Sequence, residues 1–315
     1  MRKPIPLLVA ALALLLLVPV AFPHLKFVIT LAVAKGFAAL GVALLLRGGL
    51  ISLGHAMYFA IGAYATAFLG SKAGVSDLVL LLVASTAVAA LAGLVFGAFL
   101  VRYRAIFFAM LNLAVSMVIF ALTSKLYGIT GGTDGLRVAV PTVLGWAPGK
   151  AAFDGFLFYL CILLMVVLGW LVHRYLQSPL GHALSAIHTN EVRLEYLGVS
   201  AWQTLLTSYT ISAALAGLGG ALAAMSIGHV LPEFAFWTES GHLVLTAVLG
   251  GIGGVAGAFI GSVFLEILHT VAVGVAAEAW NLIIGLALIC VIFFLPRGIY
   301  GLIEARRGST KETGL

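Results

Sequence analysis

Polar side chains recur inside segments of this chain that are otherwise strongly apolar. Hydroxyl, amide and imidazole groups are costly in hydrocarbon, so within a membrane segment they tend to face the protein interior or a solute path. Their chemistry is hydrogen bonding rather than catalysis, because the spans contain neither an HExxH motif nor paired aspartates. The candidate path residues are Ser52, His55, Tyr58, Asn112, Tyr209 and Ser212, with Tyr64, Ser116 and Thr210 as further members.

Two charged residues, Lys35 and Glu266, also fall within apolar segments. They either pair, or Lys35 extends its ammonium group toward the membrane surface and Glu266 reaches the outer rim. Glu266 bears on function, because proton- or sodium-coupled carriers usually need intramembrane carboxylates or unwound helices. A self-powered secondary transporter or channel therefore stays open, supported by Glu266 and by a helix break near Gly250.

The elements that must position these groups are membrane helices. A composition of 63% hydrophobic and 9% charged residues, with a mean hydropathy of +1.18, excludes a soluble domain. The run GGIGGVAG at 250–257 divides the segment 241–272 into two short helices. We predict an all-α polytopic membrane protein, one transmembrane domain over 1–315, with about nine or ten spans of about 20 residues each. The continuous spans lie near 5–23, 27–46, 50–69, 78–101, 105–126, 153–172, 204–224 and 279–296.

The distribution of cations predicts the orientation, because short cytoplasmic loops are rich in Lys and Arg. With both termini in the cytoplasm and the first span retained, the segment 241–272 enters and leaves by the outer side. The net charge of +6 then reflects membrane topology and not nucleic-acid binding. The cytoplasmic cations are Arg2, Lys3, Arg47, Arg102, Arg104, Arg174, Arg193, Arg297, Arg306, Arg307 and Lys311, and the outer ones are Lys26, Lys72, Lys125, Arg137 and Lys150.

A polar segment, residues 173–203, has the features of a helix that lies along the membrane surface. Ser178 is a good N-cap, Pro179 suits the first helical position, and Gly198 suits the residue past the end. The helix either floats on lipid headgroups or docks another protein, and its acids at 191 and 195 favour docking over an anionic leaflet. Its apolar stripe consists of Leu180, Leu184, Ile187, Leu194 and Leu197.

Small residues at helical spacing predict close contact between neighbouring helices. They either pack statically or form smooth surfaces along which helices slide. The predicted packing positions are Ser212, Ala213, Ala216, Gly217, Gly220 and Ala221 in one helix, and Gly253, Gly257 and Gly261 in the broken segment.

The order of several motifs resembles the permeases of branched-chain amino-acid ABC importers, most closely the LivM-like half. The resemblance covers most of the chain from about residue 40. The motifs are SLGHAMYFAIGAYATA at 52–67, TGGTDGL at 130–136, GHALSAIHTNEVRLEYLGVS at 181–200, SYTISAALAGLGGALAA at 208–224, GGIGGVAGAFIGSVFLE at 250–266 and LPRGIYGLIE at 295–304.

The resemblance implies that residues 173–203 form a cytoplasmic coupling loop, which seats in a cleft of an ATP-hydrolysing subunit. It assigns the turn into the coupling helix to Gly181, polar contacts to Asn190 and Glu191, and the exit to Gly198, with Ala186 between them. The chain departs from the family where Arg is common, with His182, Ser185 and His188, and where an acid is common, with Thr189.

The implied assembly contains two ATP-binding subunits, an identical or homologous second permease, and a periplasmic or extracellular binding protein, in a bacterial or archaeal cytoplasmic membrane. The chain has no GxxxxGK[ST] phosphate loop, so the partners would hydrolyse ATP and this chain would bind no cofactor or metal. The loops 127–153 and 229–240 either receive the binding protein or only connect helices. The implied cargo is a branched-chain or other hydrophobic amino acid; urea, amides, a sugar or a metal chelate are alternatives.

Overall fold

The computed structural model describes residues 25–143, 145–275, 279–294 and 298–301. The span predicted near 5–23 and most of the closing motif at 295–304 lie outside these residues. Within them, six helices are long and apolar enough to cross a membrane. The prediction of an all-α polytopic membrane protein is confirmed.

The described residues form eleven α-helices and one short antiparallel pair of strands. The helices are α1 (Leu25–Arg47), α2 (Ala56–Ser71), α3 (Leu78–Leu100), α4 (Ala105–Lys125), α5 (Tyr127–Thr130), α6 (Lys150–Leu176), α7 (Pro179–Tyr196), α8 (Ala201–Ile227), α9 (Trp237–Gly250), α10 (Val255–Val275) and α11 (Trp280–Phe294). The strands are β1 (Leu136–Arg137) and β2 (His229–Val230).

The bundle has two distinct ends. At one, the strand end, β1 pairs with β2, Leu136 opposite Val230, and the loop between α2 and α3 bonds to residue 142. At the other, the α7 end, the interfacial helix α7 lies against the final turn of α1 and the first residues of α8. Consecutive long helices cross the bundle in opposite directions, so the loops that join them lie alternately at one end and at the other.

The core is formed by α1 and α8. The apolar segment of α1 is 89% buried and that of α8 is 78% buried, whereas the other four long helices reach at most 39%. Helix α8 packs against α1, α2 and α3, and its predicted small residues are all buried in these contacts. A Cβ added at Gly220 would lie 1.8 Å from the carbonyl oxygen of Phe59. Only glycine permits this approach of α2 to α8.

One predicted helix start and one predicted packing residue differ from the structure, whereas the predicted helix break is present. The span predicted from residue 50 begins as a helix at Ala56, because residues 50–55 form a turn that carries polar side chains inward. The predicted break in 241–272 is a turn at 251–254, where Gly251 has φ +97. Of the three glycines predicted to pack in this segment, Gly253 lies in the turn and is exposed. The other two, Gly257 and Gly261, pack against the end of α9.

Candidate functional site

Hydrogen bonds join four of the predicted path residues in one chain. Asn112 Nδ2 donates to Ser52 Oγ at 2.8 Å, and Ser52 Oγ lies 3.3 Å from His55 Nδ1. His55 Nε2 lies 2.9 Å from Ser212 Oγ and 3.3 Å from the Ser212 carbonyl oxygen. With the proton of a neutral imidazole on Nε2, every contact in this chain joins a donor to an acceptor.

Two tyrosines extend the chain of polar groups. Tyr58 OH donates to Tyr209 OH at 3.0 Å, and the Tyr58 ring meets the His55 ring edge-on with centroids 5.6 Å apart. Phe108 meets Tyr209 at 6.0 Å in the same geometry. All six of the principal path residues predicted from the sequence are therefore neighbours in the structure. We call this group the polar cluster; it consists of Ser52, His55, Tyr58, Asn112, Tyr209 and Ser212.

The turn at residues 50–55 places the cluster between α2, α4 and α8. A Cβ at Gly54 would lie 2.1 Å from the carbonyl oxygen of Asn112, so glycine is needed for the turn to approach α4. The turn ends where Ala56 N–H donates to Ser240 Oγ at 2.9 Å, which satisfies one of the free amides at the start of α2. Sequence reasoning missed Gly54 and Ser240; the only signal for Gly54 was its place in the SLGHAMYF motif.

The polar cluster is closed. All six residues have 0% exposed surface, and none of them lines the cavity between α2, α3 and α4 or the small one beside Arg47. Its groups are uncharged hydrogen-bonding groups, which suit a polar solute only after the helices around them separate. The remaining candidates lie apart, since Ser116 Oγ donates to the Ala235 carbonyl and Thr210 Oγ1 to the Leu206 carbonyl.

The two intramembrane charges form an ion pair. Lys35 Nζ lies 3.1 Å from Glu266 Oε2, joining the middle of α1 to the middle of α10. The Glu266 side chain is only 6% exposed, so the alternative in which it reaches the outer rim is wrong. An ionised carboxylate at such a position requires a partner, and Lys35 supplies it.

Helix α7 begins as its sequence predicts but is not continuous. Ser178 Oγ accepts from Gly181 N–H at 3.3 Å, Pro179 occupies the first turn, and Gly198 has φ +82 past the end. Asn190 has non-helical angles, and its Oδ1 accepts from Arg193 N–H at 3.0 Å, so it caps a second short helical segment. Gly181 lies inside the helix rather than at a turn before it, and a Cβ there would meet the Tyr175 carbonyl at 2.4 Å.

Glu191 makes an ion pair within its own chain. Arg104 Nε donates to Glu191 Oε2 at 2.8 Å and Arg104 Nη2 to Oε1 at 2.6 Å. Arg104 immediately precedes α4, and the next residue, Ala105, has φ +51, an uncommon value for a residue with a side chain. The pair fastens α7 to the start of α4.

The apolar stripe of α7 divides between the bundle and solvent. Leu184, Ile187 and Leu194 are buried against the chain itself, Ala186 is half-buried, and Leu180 and Leu197 are exposed. The second segment exposes the apolar side chains of Val192 (61%), Tyr196 (88%) and Leu197 (75%). We call these three residues the docking patch; sequence reasoning missed Val192 and Tyr196, although their spacing of four places them on one helical face.

Comparison with known proteins gives the family. A family described as "Branched-chain amino acid transport system / permease component" matches residues 24–292. The chain belongs to this family. The permease is 30% identical over 279 residues to the high-affinity branched-chain amino acid transport system permease protein LivM of Escherichia coli, covering 80% of this chain and 64% of that one. The permease thus spans slightly less than two thirds of that relative.

Other relatives cover different shares of the permease. The permease protein BraD of Pseudomonas aeruginosa, from a high-affinity branched-chain amino acid transport system, is 27% identical over 278 residues, covering 82% of this chain and 88% of that one. The autoinducer 2 import system permease protein LsrC of Klebsiella pneumoniae is 29% identical over 172 residues, covering 52% of this chain and 47% of that one. No solved structure matches the permease.

Proposed function

We propose that the permease is the membrane-spanning subunit of an ABC importer that translocates branched-chain or other hydrophobic amino acids. The observation that carries the proposal is the placement of α7. It lies across one end of the bundle, is fastened to α1, α4 and α8, and presents the docking patch outward. A surface helix that is fastened to the bundle and still exposes a group of apolar side chains suits docking of a protein that moves it.

The proposed partners are two ATP-binding subunits, a second permease of the same family and a binding protein. ATP would be hydrolysed by the ATP-binding subunits, and this chain would contribute no catalytic residue or cofactor. The docking patch, together with Asn190 and the exposed polar face of α7, would seat in the ATP-binding subunit. Glu191 would act from within, through Arg104, because its carboxylate already accepts two hydrogen bonds from that side chain.

The proposed binding-protein surface is the strand end. Pairing of β1 with β2 joins the two loops predicted as landing sites, and His229 Nε2 lies 2.8 Å from the Asp134 carbonyl oxygen. Glu233 in the second of these loops and Glu239 in the first turn of α9 would complement basic groups on a binding protein.

The proposed orientation puts α7 in the cytoplasm and the strand end outside, in a bacterial or archaeal inner membrane with both termini cytoplasmic. Among the described residues, five Lys and Arg side chains lie at each end of the bundle. The excess of cytoplasmic cations on which the predicted orientation rests therefore comes from the terminal segments. The location of α7 supplies the additional argument. An ATP-driven subunit has ATP available only in the cytoplasm, and α7 is the helix that would dock it.

The cargo is proposed from relatives whose names specify branched-chain amino acids. LsrC, whose name specifies autoinducer 2, supports a second candidate, a permease for another small polar solute such as a sugar, urea or an amide. A self-powered carrier is a weaker alternative, because its one candidate carboxylate, Glu266, is neutralised by Lys35.

Co-purification from the native membrane tests the proposal. The permease is extracted in mild detergent as wild type, as Tyr196→Asp and as Trp146→Asp, a matched loss of an exposed aromatic residue at the strand end. We expect an ATP-hydrolysing subunit with the wild type and with Trp146→Asp, and its loss from Tyr196→Asp. A wild-type permease that is purified alone and transports solute without ATP would contradict the proposal.

A further inference from the structure

A segment without regular secondary structure enters the membrane region from the α7 end. Residues 48–55, which we call the gate segment, join the end of α1 to the start of α2. Helix α2 has 16 residues, about 24 Å at 1.5 Å per residue, which is less than the ~30 Å of hydrocarbon. Its last turn lies at the strand end, where Lys72 bonds the carbonyls of residues 128 and 129. The gate segment therefore completes the crossing, and irregular backbone at this depth occurs where it is buried in protein or lines a water-filled cavity.

The gate segment is held by side chains rather than by a ladder of backbone bonds. Among the described residues, the amides of 51–55 donate no hydrogen bond to another backbone group. The polar cluster holds the middle of the segment instead, through Ser52 with Asn112 and through His55 with Ser212. The segment can therefore move without unwinding a helix, by breaking a few side-chain hydrogen bonds.

Both ends of the gate segment are fixed to the hairpin of α9 and α10. Before the segment, Arg47 donates from Nε at 3.1 Å and from Nη2 at 2.8 Å to the carbonyl oxygen of Ile252, in the turn of the hairpin. After the segment, Ala56 N–H donates to Ser240 Oγ in the first turns of α9. A displacement of the gate segment would thus be concentrated between these two attachments.

Helix α7 touches the gate segment at its first two residues. A Cβ added at Gly48 would lie 2.6 Å from Leu184 Cδ1, and one added at Gly49, where φ is +76, would lie 2.8 Å from His188 Cδ2. The two side chains of α7 therefore rest directly on the backbone of the segment. They are four residues apart and lie on one face of α7. A displacement of this face is passed to the segment, because closely packed groups transmit strain.

We propose that the gate segment opens the polar cluster when α7 moves. Side chains of α7 displace residues 48–49, and the segment carries Ser52 and His55 away from their partners on α4 and α8. The cluster then opens toward the α7 end. This inference rests on the proposed function, which supplies the movement of α7, and it adds the part of the chain that responds. The competing account is that α4, fastened to α7 by Arg104, moves while the gate segment stays in place.

The reactivity of a reporter cysteine tests the opening. The assembled complex carries Ser52→Cys in a background of Cys161→Ala and Cys290→Ala, which removes the native thiols, and is treated with a methanethiosulfonate reagent. Residue 52 has no exposed surface in the closed structure, and its modification rate scales with the fraction of open clusters. We expect the rates in the nucleotide-free and vanadate-trapped complexes to differ about tenfold. Equal rates would overturn the proposal.

Variants of α7 test what drives the opening. His188→Ala removes the ring that rests on residue 49, whereas His188→Phe keeps a ring there. His182→Ala removes another exposed imidazole from a different face of α7 and is the matched control. We expect the nucleotide-dependent difference in rate to fall about fivefold in His188→Ala and to be retained in the other two, with ATP hydrolysis continuing in all three. An undiminished difference in His188→Ala would overturn this contact as the drive.

Distances between spin labels decide whether the gate segment or α4 moves. One label replaces Val79, at the start of α3 at the strand end. The other replaces either Ile51 of the gate segment or Ile106 in the first turn of α4; all three side chains are exposed. Between the two nucleotide states, we expect a larger change in the distance from Ile51 than in that from Ile106. A change confined to Ile106 would overturn the proposal in favour of α4.

Uptake of radiolabelled leucine by the wild-type complex in proteoliposomes separates the two levels of proposal. ATP-driven uptake, with reactivity and distances that do not depend on nucleotide, overturns the gate segment and leaves the proposed function intact. A permease that is purified without an ATP-hydrolysing subunit and takes up solute without ATP contradicts the proposed function, and with it this inference.

Discussion

The guanidinium group of Arg104 bonds both carboxylate oxygens of Glu191, at 2.8 and 2.6 Å. Arg104 precedes α4, which otherwise buries few residues against the bundle, namely Phe108, Ala109, Asn112 and Ser116. Asn112 belongs to the polar cluster. The ion pair is therefore a short physical connection from α7, through α4, to the residues proposed to line the path.

Charge reversal tests this connection. Arg104→Glu or Glu191→Arg places like charges together, so we expect ATP-driven uptake to fall while ATP hydrolysis by the associated subunit continues. The double reversal should restore uptake, because the opposite charges face each other again. Uptake and ATP hydrolysis are measured on the same proteoliposomes. Arg102→Glu, an exposed residue of the same loop, is the control, and uptake unchanged in both single reversals would rule out the connection.

Neutralising one member of the Lys35–Glu266 pair should destabilise the fold. Lys35→Met leaves the Glu266 carboxylate, 6% exposed, without its cation. The cost of such a loss is at most about 3–5 kcal/mol, and less here because Lys35 is 28% exposed. Thermal unfolding in detergent should show a lower midpoint for Lys35→Met and partial recovery in Lys35→Met with Glu266→Gln. Equal midpoints in all three proteins would show that the pair contributes nothing to stability.

Gly220→Ala should separate α2 from α8. The new Cβ would lie 1.8 Å from the Phe59 carbonyl oxygen, so the helices must shift, at a cost of about 1–3 kcal/mol. The yield of folded monodisperse protein and the midpoint of thermal unfolding should both fall. Gly274→Ala is the matched control, because nothing lies within 4 Å of a Cβ there, and helix propensity predicts a gain of up to about 1 kcal/mol. A harmless Gly220→Ala would contradict the observed contact.

Removing the amide of Asn112 should weaken the polar cluster. In Asn112→Ala, Ser52 Oγ loses the hydrogen bond that it accepts at 2.8 Å while it stays buried, and we expect a loss of about 1–3 kcal/mol. Thr207→Ala, which removes an exposed hydroxyl from α8, should leave the thermal unfolding midpoint almost unchanged. If the two variants have the same midpoint, the cluster does not stabilise the closed state.

The amino-acid sequence determined the class of protein and the approximate positions of its membrane helices. Composition and apolar lengths suffice for this, because a membrane span must satisfy its own backbone and cover the hydrocarbon whatever its neighbours are. The cap at Ser178, the left-handed residue at Gly198 and the break near Gly250 are likewise local, since a few adjacent residues decide each of them. The six principal path residues were found for a similar reason, because polarity inside a span is visible in sequence.

Only the tertiary structure decided which groups meet. The contacts from Asn112 to Ser52 and from His55 to Ser212 join residues far apart in the chain, and so does the choice of Arg104 as the partner of Glu191. No local pattern encodes these pairings, because they depend on how close the helix backbones approach and on which faces they present. The cavity between α2, α3 and α4 is the clearest case, since it is a gap between three helices, and a gap has no sequence signature of its own.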